Sequence, residues 1–371
     1  MKIAIHQPRI SYYTGGGEII PLMQAKYLSK LKHKVTIVTT KQQKPSDIYD
    51  KWKKTEKNIT FVELKVPQKH AGLYQEEAGI SRIRWDYECF AFNQMSFKFY
   101  QTNNFNLIAS HYLVDALGIP PHQTSVLHLH GYPKHNNLLN QVFMKFPDAV
   151  IGVSKFVLDK WSKLTSLPAK KYVCYNGVES PKKFSIKSVD NIDLLFVGRL
   201  IPRKGVQYAI EALEKLNKQG ISAHLTIVGT GPMEKELTNI VKKRGLEKFV
   251  AFKGLCSHNQ VLSFFKASNF CLFPSFEREG MPTAILEAMS LGKVVVATNN
   301  FGMKELIVDG KDGILIPERN SLALARAITS LKLDKERTRK IGKNAAQKIN
   351  RNWLWSTQIK KLEKIYFSIL A

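Results

Sequence analysis

Phe273-Pro274-Ser275-Phe276-Glu277-Arg278-Glu279-Gly280-Met281-Pro282-Thr283-Ala284-Ile285-Leu286-Glu287-Ala288-Met289 reads as the end of a buried strand, a loop and the start of a helix. The strand is the apolar run from Asn269 to Phe273, and the loop holds Glu277, Arg278, Glu279 and Gly280. Pro282 is expected to be the first helical residue, where a pre-set backbone helps and a missing N–H costs nothing. A helix beginning there turns unpaired N–H groups and its positive dipole end toward the loop, which favours an anion. Glu279 precedes the helix start and Glu287 lies on its second turn. Acids beside an anion site suit a phosphorylated sugar, although a purely structural α/β turn fits the same residues.

Outward from this stretch, strand and helix alternate in two halves. In the first half, residues 2–7 form an apolar strand, and Tyr12 to Glu18 a loop with Gly15, Gly16 and Gly17. A helix from about Ile19 to Leu31 and a strand Val35–Thr39 follow. This is the opening of a doubly wound parallel sheet. It lacks the full GxGxxG fingerprint, so no nicotinamide or flavin cofactor is indicated. Residues 69–104 are basic and aromatic (Arg82, Arg84, Trp85, Tyr87, Phe90, Phe92, Phe97, Phe99, Tyr100), which suits a core helix or a membrane interface. His111 ends one expected strand; His128 and His130 end another, at the edge where open α/β sheets bind ligands. A His-x-His pair puts both imidazoles on one face, but no third ligand follows nearby, so a metal is not expected. Residues 179–192, with Pro181 followed by Lys182, Lys183, Ser185, Lys187 and Ser188, read as a linker, and the strand–helix rhythm then restarts at Leu194. Helices from Ser321 and from about Trp353 to Leu370 are expected to close the chain.

The 371 residues are enough for two domains with a sizeable core. No apolar run approaches the roughly 18–20 residues of a spanning helix. The first residues read as a strand, not as a signal peptide. Cys89, Cys174, Cys256 and Cys271 form no CxxC pair, which points away from zinc and disulfides and toward a reducing cytoplasm. The net charge is +26. Residues 1–190 carry 27 Lys/Arg against 14 Asp/Glu, a net +13, which leaves +13 for the rest. The excess is therefore spread over both halves. It suits an anionic membrane surface, a nucleic acid or a general solubility bias. No nucleic-acid recognition motif accompanies it.

Several ordered motifs of the second half resemble the group-one (family four) retaining glycosyltransferases of GT-B fold. They are Gly198-Arg199-Leu200 with Lys204-Gly205, Val228-Gly229-Thr230-Gly231-Pro232, Phe252-Lys253-Gly254, and Pro274-Ser275 with Glu279-Gly280. Leu286-Glu287-Ala288-Met289, Gly292 to Ala297, Asp309-Gly310 and Asp312-Gly313 complete the set. In the first half, Gly15-Gly16-x-Glu18, His130-Gly131 and Asn176-Gly177-Val178 are similar to the family's positions. The resemblance implies two Rossmann-like doubly wound α/β domains facing across a cleft. It divides the chain into an acceptor domain over 1–180, a linker over 181–192 and a nucleotide-sugar domain over 193–352. A helix over 353–371 would return to the first domain.

The implied activity is transfer of a hexose or N-acetylhexosamine from a nucleotide-diphosphate sugar, UDP- or GDP-linked, with retention and without metal or cofactor. By resemblance, Arg199 and Lys204 neutralise the leaving diphosphate, Glu279 lies beside the donor sugar and Glu287 accepts from the ribose hydroxyls. Gly280, Met281 and Thr283 would offer backbone N–H groups; Gly15, Gly16 and Gly229 would let backbone approach phosphate. His130 is preferred to His111 and His128 as the sugar-positioning histidine. Glu277 rivals Glu279, but its spacing to Glu287 differs from the family's. Met281 stands where the family often has an aromatic. The expected setting is cytoplasmic, with a glycan or lipid-linked acceptor at the inner membrane face and assembly of polysaccharide or lipopolysaccharide. A nucleotide-sugar epimerase, a phosphorylase and a basic nucleic-acid-binding protein are the alternatives.

Overall fold

The structure, a computed structural model, describes residues 1–12, 16–66, 80–132, 138–181, 192–277, 279–300 and 302–371; for 16–17 and 80–88 it gives the backbone only. Gly15, Arg278, most of the expected linker and the side chains of Arg82, Arg84, Trp85 and Tyr87 lie outside this description. The chain forms two compact units: Met1–Asn176 with Trp355–Ala371, and Gly177–Leu354.

The first unit runs β1 (Lys2–His6), α1 (Gly16–Lys30), β2 (Lys34–Thr40), α2 (Asp47–Thr55), β3 (Ile59–Leu64), α3 (Ile80–Thr102), β4 (Leu107–Ser110), β5 (Ser125–Leu129), α4 (Leu138–Phe143), β6 (Ala149–Gly152), α5 (Lys155–Leu164) and β7 (Lys170–Val173). All strands pair in parallel, in the order β3-β2-β1-β4-β5-β6-β7. β4, β5 and β6 are buried along their whole length, the mark of strands covered on both faces. Gly16 lies in the first turn of α1, not in the preceding loop, because the helix starts earlier than its apolar face suggests. In α3, Phe92 and Tyr100 are fully buried against β1, β2 and β4 residues, so at these positions the aromatic segment is core.

The second unit runs β8 (Ile192–Val197), α6 (Val206–Lys218), β9 (Ala223–Val228), α7 (Glu234–Lys243), β10 (Val250–Phe252), α8 (His258–Ala267), β11 (Phe270–Phe273), α9 (Thr283–Ser290), β12 (Val294–Thr298), α10 (Met303–Leu306), β13 (Ile314–Ile316), α11 (Ser321–Leu333) and α12 (Lys335–Asn352). Its sheet is also parallel, in the order β10-β9-β8-β11-β12-β13. α12 is a separate helix that the sequence pattern merged with its neighbours. Asp334 starts it by accepting the Arg337 N–H at 2.9 Å.

The last helix, α13 (Trp355–Leu370), belongs to the first unit. It buries Ile359, Leu362, Tyr366 and Ile369, a helical stripe that joins Leu22, Leu28 and Ile37 in one core, while Trp355 packs with Ile20 and Met23 in a second cluster. Fully burying an apolar side chain of this size is worth about 1.5–3 kcal/mol, so this stripe fixes the helix firmly. No described helix is long and apolar enough to cross a membrane.

Each sheet reverses its winding once, between β1 and β4 and between β8 and β11. Loops leaving the carboxyl ends of two such neighbouring strands diverge to opposite faces and leave a crevice. In the second unit those loops are 198–205 and 274–282; in the first they begin at Gln7 and His111.

Candidate active site

The crevice of the second unit gathers charge. After β8, Pro202–Lys204 makes a 3-10 turn closed by Gly205, whose φ is +71°. A Cβ on Gly205 would lie 2.1 Å from the Pro274 carbonyl oxygen. Glycine is thus required both for the left-handed backbone and for contact between the two loops. The Phe276 N–H donates to the Arg203 carbonyl at 2.9 Å, a further stitch between them. The same closeness governs Gly302, where a Cβ would meet the Gly280 carbonyl oxygen at 1.6 Å.

These loops bring Glu279 against two cations. Its Oε1 lies 2.5 Å from Arg203 Nη1 and 2.8 Å from Lys204 Nζ. The Glu279 side chain is 8% exposed and that of Lys204 17%, so the pairs are only weakly screened. Arg203 Nη1 also donates to the Glu277 carbonyl at 3.3 Å. Burial holds the Lys204 amine below the ordinary lysine range; the Glu279 carboxylate opposes this, while Arg203 and Arg199 reinforce it. Arg199 itself stands exposed on the loop. The Glu277 carboxylate faces Arg319, 3.6 Å away, and not the cation pair.

The helix start also differs in detail from expectation. Pro282 is the N-cap of α9, with ψ at 120°, and Thr283 is the first helical residue. A proline ring offers no capping oxygen, and α9 has no side-chain cap. Its first turn therefore lacks the usual side-chain acceptor, and the Ile285 N–H turns to the Pro282 carbonyl at 3.2 Å. Met281 is buried and Gly280 is held against Gly302. On the second turn Glu287 is 20% exposed, with His258 Nδ1 at 4.0 Å from its Oε1. Burial pushes its carboxyl up to about 7. Gly229 follows β9, and its N–H is spent on the Gly254 carbonyl at 2.8 Å, which ties two loops together.

The first unit's crevice gathers neutral rings. His130 Nε2 lies 2.9 Å from His111 Nδ1. The rings of His111, His128 and His130 stack within 18–19° of parallel, with centroids 4.7–6.4 Å apart. His128 Nε2 lies 2.9 Å from the Tyr366 hydroxyl of α13. Burial lowers all of them: His128 to about 3, His130 to about 4 and His111 well below the ordinary value. His6, also buried, falls to about 3. Each ring is thus neutral at pH 7, with one N–H and one lone pair. His130 Nδ1 and His111 Nε2 are buried without a hydrogen-bond partner. Among the described residues no group of His, Cys, Asp and Glu converges as a metal site. Beside the rings, the Arg9 guanidinium lies 3.6 Å from the centre of the Tyr112 ring, and the Tyr112 hydroxyl donates to Glu18 at 2.6 Å.

The sequence reading thus selected Lys204 and Glu279, which touch. It chose among His111, His128 and His130, which form one cluster. It passed over Arg203, which contacts Glu279 where Arg199 does not. The adjacent Arg203-Lys204 pair after Pro202 was the available signal.

Two parallel doubly wound units of this kind define a GT-B protein. The chain aligns over 99% of its length with 98% of sucrose-phosphate synthase from Thermosynechococcus elongatus, at TM-score 0.82 and 17% identity. It aligns over 99% with the whole of Anabaena HepE, solved with UDP-glucose, at TM-score 0.79 and 20% identity. Residues 179–348 match the family described as "Glycosyl transferases group 1". An uncharacterized glycosyltransferase of Methanocaldococcus jannaschii, MJ1178, is 28% identical over 72% of this chain and 76% of its own. WcaL of Escherichia coli, a putative colanic acid biosynthesis glycosyltransferase, is 32% identical over 44% of this chain and 41% of its own. The family match thus lies on the second unit, and residues 179–348 are those of a group 1 glycosyltransferase.

Proposed function

We propose that the chain is a retaining glycosyltransferase that moves a hexose or N-acetylhexosamine from a UDP- or GDP-linked sugar to an acceptor hydroxyl. The observation that carries this reading is the Lys204–Glu279 contact at the sheet reversal of the second unit. A nucleotide-sugar diphosphate carries two negative charges. In this reading Arg199 and Lys204 neutralise charge that builds on it as it leaves, and the first turn of α9, which has no side-chain cap, adds N–H donors. Cations and helix dipole supply this neutralisation without calling on a metal. Glu279 accepts from a sugar hydroxyl and Glu287 from the ribose hydroxyls; the N–H groups at Gly280, Met281 and Thr283 serve sugar or phosphate oxygens.

In the reaction, the bond from the anomeric carbon to the phosphate oxygen breaks and a bond to the acceptor oxygen forms on the same face. The acceptor's hydroxyl proton goes to the departing phosphate. No protein base is needed, and none is assigned. His130, neutral and with an unpartnered buried Nδ1, offers one hydrogen bond to a substrate hydroxyl.

The named role of WcaL supports a glycan or lipid-linked acceptor in polysaccharide assembly. The net charge of +26 supports a cytoplasmic protein that attaches to an anionic membrane face. Flotation with anionic liposomes tests the attachment, and absence of salt-sensitive binding contradicts it. A screen of UDP-, GDP-, ADP- and dTDP-sugars by thermal shift and nucleotide release tests the activity. At least one donor is expected to stabilise the protein and turn over; no response to any of them contradicts the reading.

A further inference from the structure

Arg199, Arg203 and Lys204 put three cations within six residues, and two of them, Arg203 and Lys204, contact the Glu279 carboxylate. One oxygen, Oε1, serves both Arg203 and Lys204 at 2.5 and 2.8 Å. A single anionic oxygen shared by an arginine and a lysine has the charge and spacing of a phosphate oxygen in the same place. Glu277, the neighbouring acid, has its carboxylate turned to Arg319 and supplies only its backbone carbonyl to Arg203. Leaving these cations without an anion is costly because they are largely buried. Something must therefore occupy the position at all times.

We propose that Glu279 is the internal counter-ion of Arg203 and Lys204 in the free protein, and that the donor's diphosphate displaces it. This rests on the reading of the second unit as the donor site. Arrival of the diphosphate gives both cations a new partner and frees the Glu279 carboxylate. A whole donor compensates the freed carboxylate with a sugar hydroxyl, whereas a bare diphosphate leaves it without a donor beside new negative charge. Glu279 thus discriminates against sugar-free anions, including the released nucleotide. Arg203 thus binds the diphosphate in this scheme, and it also holds the neighbouring loop, by its carbonyl to the Phe276 N–H and by its guanidinium to the Glu277 carbonyl.

The test is calorimetric titration of the full-length protein with inorganic pyrophosphate and with UDP at constant ionic strength. Glu279→Gln is expected to bind pyrophosphate at least about tenfold more tightly than wild type, since it loses a negative charge in direct contact with the cations. Glu279→Asp, which draws the carboxylate back, is expected to tighten it about threefold. Arg203→Gln is expected to weaken it, which a role confined to packing does not require. Pyrophosphate binding to folded Glu279→Gln that is no tighter than wild type overturns the proposal. Should that variant not fold, unchanged binding by Glu279→Asp overturns it equally. If wild type and all variants bind neither pyrophosphate nor UDP, the donor reading fails along with it; if wild type binds both and Glu279→Gln does not tighten, only this inference fails.

Discussion

The two units solve the same geometric problem with opposite chemistry. Each is a parallel sheet whose winding reverses once, and each places functional side chains on the loops beyond that reversal. In the second unit the crevice holds full charges, Arg203 and Lys204 against Glu279. In the first it holds neutral, stacked histidines anchored to Tyr366. A charged crevice suits an anion that brings its own countercharge. A crevice of neutral rings suits hydroxyls, which need a donor or acceptor but no net field. The fold provides the location, and the residue types decide what each location can hold.

The largest expected effect breaks the charged side. Lys204→Ala and Glu279→Ala should each lower turnover by about 10²–10³-fold, the scale set by removing one preorganised electrostatic contact. Circular dichroism should show both variants folded. Wild-type turnover in both variants would sever the charged crevice from the chemistry.

The next effect concerns the neutral side. His6, His111, His128 and His130 all have folded-state values below the ordinary 6.5. The unfolded chain therefore binds more protons, and stability falls as pH drops. It is fully present above about 6.5 and declines toward pH 4, by up to about 1.4 kcal/mol per pH unit for each histidine. Urea unfolding between pH 7 and 5 measures this. A flat profile would mean that the rings are hydrated rather than buried.

Glu287 should behave in the reverse sense. Its raised value means that the neutral acid is favoured in the free protein, so ionisation through about pH 7 costs stability. In the role proposed for Glu287 the ionised carboxylate accepts from the ribose hydroxyls, so donor affinity is expected to rise several-fold, about three to tenfold, from pH 6 to 8. Glu287→Gln should flatten that rise. A variant with an unchanged slope would assign the titration elsewhere.

The smallest effect separates the two sides. Tyr366→Phe removes the hydroxyl partner of His128 and should cost the first unit about 1–2 kcal/mol by chemical denaturation. Donor affinity should not change. A matching loss of donor affinity would show that the crevices are not chemically independent.

The contrast also explains what was legible in the sequence. The second crevice is built from short segments, each read against its own strand and helix, so Lys204, Glu279 and Glu287 were legible from local pattern and family spacing. Arg203 was not, because only the 3-10 turn after Ile201 brings consecutive cations onto one oxygen. Gly229 fits a phosphate loop by pattern, but its N–H is taken by a residue 25 positions on. The first crevice draws on His6, His111, His128, His130 and Tyr366, spread over four elements and their ends. Such a cluster depends on sheet order, which alternation alone does not give. Strand positions were clear from apolar runs, while the helix start at Lys335 depended on the Asp334 cap, which hydrophobic period does not mark.

Hydrogen exchange of the full-length protein with and without a saturating nucleotide sugar tests the central claim most directly, because it asks which crevice takes the donor diphosphate. Protection is expected to appear in peptides covering 198–205 and 279–287, the loop after β8 and the start of α9 with the residues that lead into it. Protection confined to peptides of the first unit, with 198–205 and 279–287 exchanging as in the free protein, would contradict it.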